Sequence, residues 1–258
     1  MTDHIDRQQK HFDGIAETYR KARQHANHVL LKSLIWSGFF ADKPHLIAKG
    51  ARVLEPMCGM AEGLGVIRAH AQADIEYAGF DYSEKMVEAA RTANPGLRID
   101  FRDVTTFSHA GEPFDLIVLI GGLHHVYKDS ARVVRQLTTS LRSGGHFLNF
   151  EPTQNCWLTR CVRHNIYRSN PIFDNETERG FELGELNDMF VNAGMSRVDQ
   201  VYPGLLAYVL YYNPDAFPQL NLGGKTAVKA SFGLDRLFWR TWLAKKLSFA
   251  TITLWQKN

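Results

Sequence analysis

Four short runs in the middle of the chain each end on an acid, and helical segments separate them. Residues 52–54 lead into Glu55, 75–81 closes on Asp81, 97–103 on Asp103 and 145–151 on Glu151. A fifth run, 114–120, is apolar but for Asp115, the pattern of a strand buried on both faces. Between these runs, 83–92 carries Ser83 as a helix N-cap. Segment 129–141 is amphipathic and runs into Arg142-Ser143-Gly144-Gly145, which is helix-stop chemistry. Strands alternating with helices predict a parallel sheet with right-handed crossovers. Ligands of such sheets bind beyond the carboxyl ends of the strands, where these acids stand.

Composition removes several alternatives. The chain has 258 residues, with 30 Lys and Arg against 27 Asp and Glu, a formal charge of +3. Hydrophobic residues make up 45% and charged residues 22%, as in an ordinary globular protein. Disorder, collagen and coiled coil are disfavoured, and so is a polycation that grips nucleic acid by charge alone. Cys58, Cys156 and Cys161 form an odd set, which fits a reducing compartment better than a disulfide framework. Cys156 and Cys161 lie near His164, but no fourth zinc ligand is evident, so no metal is expected. The polar start, 1–10, lacks secretory-signal character, and the apolar stretches are too short to cross a bilayer. A cytoplasmic protein is the expectation.

The run Val53-Leu54-Glu55-Pro56-Met57-Cys58-Gly59-Met60-Ala61-Glu62-Gly63 reads as strand, tight turn and helix. Gly59 permits close backbone approach to a ligand, but Met57 and Glu62 stand where a dinucleotide fingerprint wants glycine. Glu62 would also oppose a pyrophosphate, so a cationic ligand suits this edge better. Asp81 follows Gly59 by 22 residues and can accept from both hydroxyls of a ribose. Asp103 can accept from an adenine amino group while Val104 packs on the ring. A solvated turn or cap is the plain alternative for each acid taken singly.

With these residues in view, the chain resembles the class I S-adenosylmethionine-dependent methyltransferases of small-molecule type. The resemblance rests on Val53 to Gly63, Gly79-Phe80-Asp81-Tyr82-Ser83-Glu84-Lys85-Met86, Phe101-Arg102-Asp103-Val104, Phe114-Asp115-Leu116-Ile117-Val118 through Leu123-His124-His125, and Leu141-Arg142-Ser143-Gly144-Gly145, in that order. One departure is clear: Met57 and Ala61 replace two glycines of the family's first motif. The resemblance implies an α/β, Rossmann-like fold: a seven-stranded, mostly parallel sheet with helices on both faces and an antiparallel last strand. It implies S-adenosylmethionine as cofactor and S-adenosylhomocysteine as product. Glu55 would orient the amino-acid end of the cofactor, with Met57 and Gly59 in the adjoining loop. Asp81 would bind the ribose, with Tyr82 and Met86 beside the adenosine, and Asp103 and Val104 would hold the adenine. Ile120 and Gly121 would face the methionine portion. Phe12 to Tyr19 looks like a lid helix, and Tyr19 would close over the cofactor or simply pack its helix.

The expected organisation is one domain over 1–258: a helical lid (1–50), a cofactor core (51–151) and two substrate-side insertions (152–181 and 204–246). Strands are expected at 196–202 and 248–256, with a helix at 182–193 before them. Methyl transfer needs alignment of nucleophile, methyl and sulfur, and exclusion of water. A hydroxyl acceptor also benefits from a base, for which His124 and His125 are the candidates. A purely structural role in their loop remains the other reading. Arg160, Arg163, Arg168 and Arg179 could meet an anionic acceptor or simply face solvent. Segment 234–246 mixes aromatic and aliphatic residues with cations. It reads as a helix packed over the sheet with snorkelling cations, or as a helix lying on a membrane. Methyl transfer to an oxygen or nitrogen of a small molecule (a natural product, or a sugar or lipid-linked glycan precursor), a monomer or homodimer, and no nucleic-acid partner are expected. The competing assignments are a catalytically silent cofactor-binding subunit and a nicotinamide-dependent oxidoreductase.

Overall fold

The computed structural model describes residues 9–10, 13–14, 17–18, 20–169 and 179–258. Phe12, Ile15, Ala16 and Tyr19, on which the lid expectation rests, lie outside the described residues.

Seven strands form one sheet: β1 (Arg52–Pro56), β2 (Glu76–Asp81), β3 (Arg98–Phe101), β4 (Phe114–Ile120), β5 (Leu141–Pro152), β6 (Met195–Val201) and β7 (Ala250–Lys257). Their order is β3-β2-β1-β4-β5-β7-β6. β3, β2, β1, β4 and β5 run parallel. β7 is antiparallel to both β5 and β6. The order reverses between β1 and β4, so a ligand crevice opens beyond their carboxyl ends.

Period-two alternation divides β4 between two cores. Leu116 and Val118 join a cluster with Val53, Leu148, Leu31, Ile35, Trp36 and Phe39. Ile117 and Leu119 join another with Leu54, Phe147, Val133, Leu137, Phe190 and Trp255. The second core is covered by α4 (Ser130–Thr139) and α6 (Leu183–Asn192). Helices α2 (Glu62–His70) and α3 (Glu84–Ala93) serve the first. Ser83 caps α3 by accepting from the Met86 N–H at 3.3 Å, as its position predicts.

The first core is also covered by α1 (Ala26–Phe40), whose buried stripe of Leu31, Ile35, Trp36 and Phe39 has helical spacing. Against α1 pack the insertion helices α7 (Leu206–Tyr211) and α8 (Gly224–Phe238). Asn27 Nδ2 donates to Asn221 Oδ1 at 2.8 Å, and His28 Nδ1 meets the Tyr212 carbonyl at 2.6 Å. The N-terminal and late additions therefore meet each other across one face of the sheet.

Three boundaries differ from the expectation. β5 begins at Leu141, because the turn that stops α4 comes at Ser140 and the pairing shifts register between Phe114 and Leu116. The stretch 234–246 is not one helix. Trp239 is buried, its carbonyl accepts from the Tyr202 N–H, and the chain turns there. Thr241 then caps a separate helix, α9 (Trp242–Leu247), by accepting from the Ala244 N–H at 3.2 Å. Segment 152–181, for which no helix was expected, supplies α5 (Trp157–Ser169).

Candidate active site

The turn after β1 sets one wall. Met57, Gly59 and Ala61 have φ of 52°, 53° and 62°. Met57 and Ala61 thus hold the left-handed conformation that glycine would take more cheaply, and the substitutions leave the turn intact. The Gly59 N–H donates to Asp81 Oδ2 at 2.9 Å, fastening this turn to the end of β2. Asp81 Oδ1 accepts from the Ser83 N–H at 2.9 Å. Each carboxylate oxygen keeps further acceptor capacity. Burial raises the Asp81 pKa against these two bonds.

Glu55 lies beneath the turn. Its Oε1 accepts from the Gly63 N–H at 2.9 Å and its Oε2 from the Tyr77 hydroxyl at 2.6 Å. Burial nevertheless pushes its pKa up to about 7. Neighbouring Glu62 is held charged instead: although burial opposes it, Lys32 Nζ lies 3.0 Å from its Oε2 and lowers its pKa. The Cys58 thiol is pushed well up by burial, then by Glu55 and Asp81.

The opposite wall follows β4. Gly121, at φ 66°, donates its N–H to the Phe150 carbonyl at 2.7 Å. A 3₁₀ turn, Leu123–Val126, then presents His124 and His125. Beneath it lies Glu151, fully buried at the end of β5. Glu151 Oε1 accepts from the N–H groups of Gly122 at 3.0 Å and Leu123 at 2.9 Å. Its Oε2 lies 3.0 Å from His124 Nδ1. Burial pushes the Glu151 pKa up to about 7. The two histidine rings lie 3.8 Å apart between centroids.

A cavity of about 400 Å³ joins these walls. Glu55, Met57, Gly59, Asp81, Tyr82, Met86, Ile120, Gly121, His124 and His125 all line it. The insertion 204–246 closes its far side with Tyr208 and Tyr212, whose rings stack at 4.6 Å and stand edge-on to Phe150. Two cations also line it. Arg23 Nη1 donates to the Tyr212 carbonyl at 3.0 Å, and buried Arg163 donates to the carbonyls of Thr153 and Phe249.

Asp103 and Val104 stand at the end of β3 but outside this lining. Asp103 accepts from both the N–H and the hydroxyl of Thr105, each at 2.8 Å, and caps the next turn, while Val104 is buried in the second core. Asp103 thus acts as a cap here, which leaves its oxygens further acceptor capacity. Sequence reasoning placed Glu151 at a strand end but did not tie it to His124, a contact across 27 residues. The tyrosine pair was also missed as part of the site. The spacing of Tyr208 and Tyr212 puts them on one helical face, but nothing local says which wall that face covers. Among the described residues, no group of three or more His, Cys, Asp or Glu is arranged to hold a metal.

The donor set fits S-adenosylmethionine. Buried Glu55 and Asp81 offer acceptors of the kind that ribose hydroxyls and an ammonium need, and a Cβ at Gly59 would meet nothing within 4 Å, so the turn leaves open space beside them. The cavity volume is in the range of small-molecule sites.

Comparison with known proteins agrees. Residues 42–145 match the sequence profile described as a methyltransferase domain. A tRNA (carboxymethyluridine(34)-5-O)-methyltransferase of Saccharomyces cerevisiae is 29% identical over 136 residues, which is 52% of this chain and 40% of that protein. The match thus spans well under half the length of the yeast relative. Among solved structures, a chain of the complex between the Haloferax volcanii Trm112 methyltransferase activator and a methyltransferase superposes with a TM-score of 0.63 at 14% identity, covering 95% of this chain and 96% of that one. The cyclopropane synthase MmaA2 from Mycobacterium tuberculosis gives a TM-score of 0.61 at 14% identity, covering 86% and 84%. Residues 42–145 thus match a methyltransferase domain, and the strand order and overall fold are those that this chain shares with solved S-adenosylmethionine-dependent methyltransferase structures.

Proposed function

We propose that this chain transfers a methyl group from S-adenosylmethionine to an oxygen or nitrogen of a small, partly aromatic or apolar molecule. The observation that carries this reading is the single cavity that joins the Glu55–Asp81 wall to His124 and the tyrosine pair. When bound, the cofactor supplies a methyl activated by its sulfonium. Asp81 would accept from the ribose hydroxyls, Glu55 would brace the turn beside the amino-acid end, and Tyr82 and Met86 would pack beside the adenosine. Tyr208, Tyr212 and Phe150 would exclude water and hold the acceptor in place for transfer. Ionised Glu151 can only accept, so it fixes the His124 tautomer with hydrogen on Nδ1. In that tautomer the lone pair is on Nε2, which would take a proton from a hydroxyl acceptor. The chain is read as one domain, monomer or homodimer. The free cysteines Cys58, Cys156 and Cys161 support a reducing compartment, the cytoplasm.

Calorimetry with S-adenosylmethionine and with NAD tests the cofactor assignment. Radiolabelled S-adenosylmethionine with a panel of phenols, amines, sugars and amphiphilic glycosides tests the transfer. Tight binding without transfer to any class would favour a silent scaffold, and NAD binding alone would favour an oxidoreductase. RNA as acceptor is a second reading, supported by the yeast tRNA-modifying relative. Label appearing in bulk tRNA, and in no small molecule, would establish it.

A further inference from the structure

The described surface carries an apolar and basic face that the proposed chemistry does not use. On α5, Trp157 is 77% exposed, and Leu158 and Val162, one turn apart on one helical side, are exposed as well. On α9, Trp242 is 67% exposed, next to Leu243. The end of α8 adds Leu234, Leu237 and Phe238, all exposed. These pieces are joined. Asn155 Nδ2, just before α5, donates to the Lys245 carbonyl at 2.8 Å. A groove between the two helices is lined by Asn155, Arg160, Glu182, Trp242, Lys245 and Lys246, and Glu182 Oε1 lies 2.9 Å from Arg160 Nη2.

Charge on this face is mostly positive: Glu182 is taken up by its pair with Arg160, which leaves Lys245 and Lys246 in excess. Residues 156–169 contain no acid, and the acid of 224–247, Asp235, is buried with its oxygens accepting the N–H groups of Leu206 and Ala207. Lys246 stands 4.4 Å from the Trp242 ring centroid, so cation and aromatic share one spot. The face also reaches the cavity. Val162 of α5 and Val209 of α7 are both exposed and both line the cavity, so its rim continues into the apolar surface. Among the described residues no helix is long and apolar enough to cross a membrane.

We propose that this face rests on an anionic lipid bilayer, and that an amphiphilic acceptor enters the cavity from the bilayer interface past Val162 and Val209. Tryptophans and leucines beside lysines suit headgroup level, where apolar side chains bury and cations meet lipid phosphates. Phosphate recognition on RNA would use the cations but give no role to exposed Leu234, Leu237 and Leu243. The substrate part of this inference rests on the methyltransferase reading, but the membrane part does not.

The test is flotation of the full chain with vesicles of phosphatidylcholine plus phosphatidylglycerol, against phosphatidylcholine alone, without cofactor. The wild type is expected to float with the anionic vesicles. Trp157→Ser/Trp242→Ser and Lys245→Glu/Lys246→Glu are each expected to lower the bound fraction about tenfold, with unchanged melting and cofactor affinity. A wild-type chain that stays unbound overturns the proposal. So do variants that float equally, variants that lose only RNA binding, or a dimer that dissolves in the tryptophan variant while vesicles stay bare. Separate calorimetry with S-adenosylmethionine distinguishes failure of this surface from failure of the methyltransferase reading. For the entry route, amphiphilic acceptors are expected to be methylated several-fold faster on anionic vesicles, an advantage lost in both variants. An equal rate on and off vesicles overturns that part.

Discussion

The Gly63 N–H donates to Glu55 Oε1 at 2.9 Å, and a Cβ on Gly63 would fall 2.5 Å from that same oxygen. Helix α2 can therefore start over the buried carboxylate only with glycine at this position. Gly63→Ala should displace Glu55 and cost about 1–3 kcal/mol. Thermal melts with and without S-adenosylmethionine should show lower stability and a smaller ligand-induced shift. An unchanged melting point would mean that α2 can slide away freely.

Ala61→Gly separates strain from burial in the neighbouring turn. Relief of a left-handed alanine is worth about 1–2 kcal/mol. It is offset by the lost methyl, about 0.8 kcal/mol, and by the greater freedom of unfolded glycine, about 0.5–1 kcal/mol. The net change should be near zero, whereas Ala61→Val should be severe, because a branched side chain tolerates φ of 62° poorly. Denaturant melts of the two variants check the contrast.

Asp81→Ala should weaken S-adenosylmethionine binding by about tenfold to a hundredfold through lost hydrogen bonds to a charged acceptor. Because Asp81 also holds the Gly59 and Ser83 N–H groups, some loss of stability should accompany it. Calorimetry giving wild-type affinity would remove Asp81 from the cofactor site.

Glu151→Gln replaces an acceptor with an amide that can donate to His124 Nδ1. That favours the opposite tautomer and takes the lone pair from Nε2. Turnover on a hydroxyl acceptor should fall by about a hundredfold, as for His124→Ala, with cofactor affinity changed little. His125→Ala should be milder. Stopped-time assays across pH, with calorimetry alongside, decide which histidine acts. If turnover in all three variants keeps the wild-type value and pH profile, the pair is structural.

Glu55 and Glu151 also set a pH dependence of stability. Both are pushed up by burial to about 7, whereas an unfolded glutamate titrates near about 4.3. Between these values the native state holds protons that the unfolded chain has released, so stability falls as pH rises. Their contribution is complete below the unfolded value and lost as pH approaches 7. Asp199 has the opposite sign. Although burial raises it, hydrogen bonds from Arg240 and Lys43 hold it down to about 2, so its contribution is lost only in stronger acid. Buried His28, pushed down to about 3 by burial, works in the opposite direction up to about pH 6.5, so the check is a difference between proteins: from about pH 5 to about pH 7 the melting point without cofactor should fall less, or rise more, in Glu151→Gln than in the wild type. Identical slopes in the two proteins would contradict the assignment.

The parallel core was legible because its signals are local. Apolar runs of strand length, acids at their ends, Ser83 before α3 and the helix stop after α4 each act within a few residues. β4 reads as doubly buried from its sequence, and Leu116 and Ile117 duly enter different cores. The same locality located Glu55, Asp81 and the two histidines near one edge. It misjudged 234–246, because the break at Trp239 depends on a distant backbone partner, Tyr202.

Local pattern alone could not decide which acids face the cavity. Asp81 and Asp103 both follow apolar strands, yet Asp81 fastens the β1 turn while Asp103 turns to Thr105. The difference lies in position within the sheet: β2 adjoins β1, whereas β3 is at the edge. Nor could sequence bring Glu151 beneath His124 or Tyr212 against His28, since those contacts span 27 and 184 residues. By itself the sequence determined the strands, their caps and the chemical types along one edge. Only tertiary packing decided which of those groups share a low-dielectric cavity, because burial and long-range pairing are properties of the assembled chain.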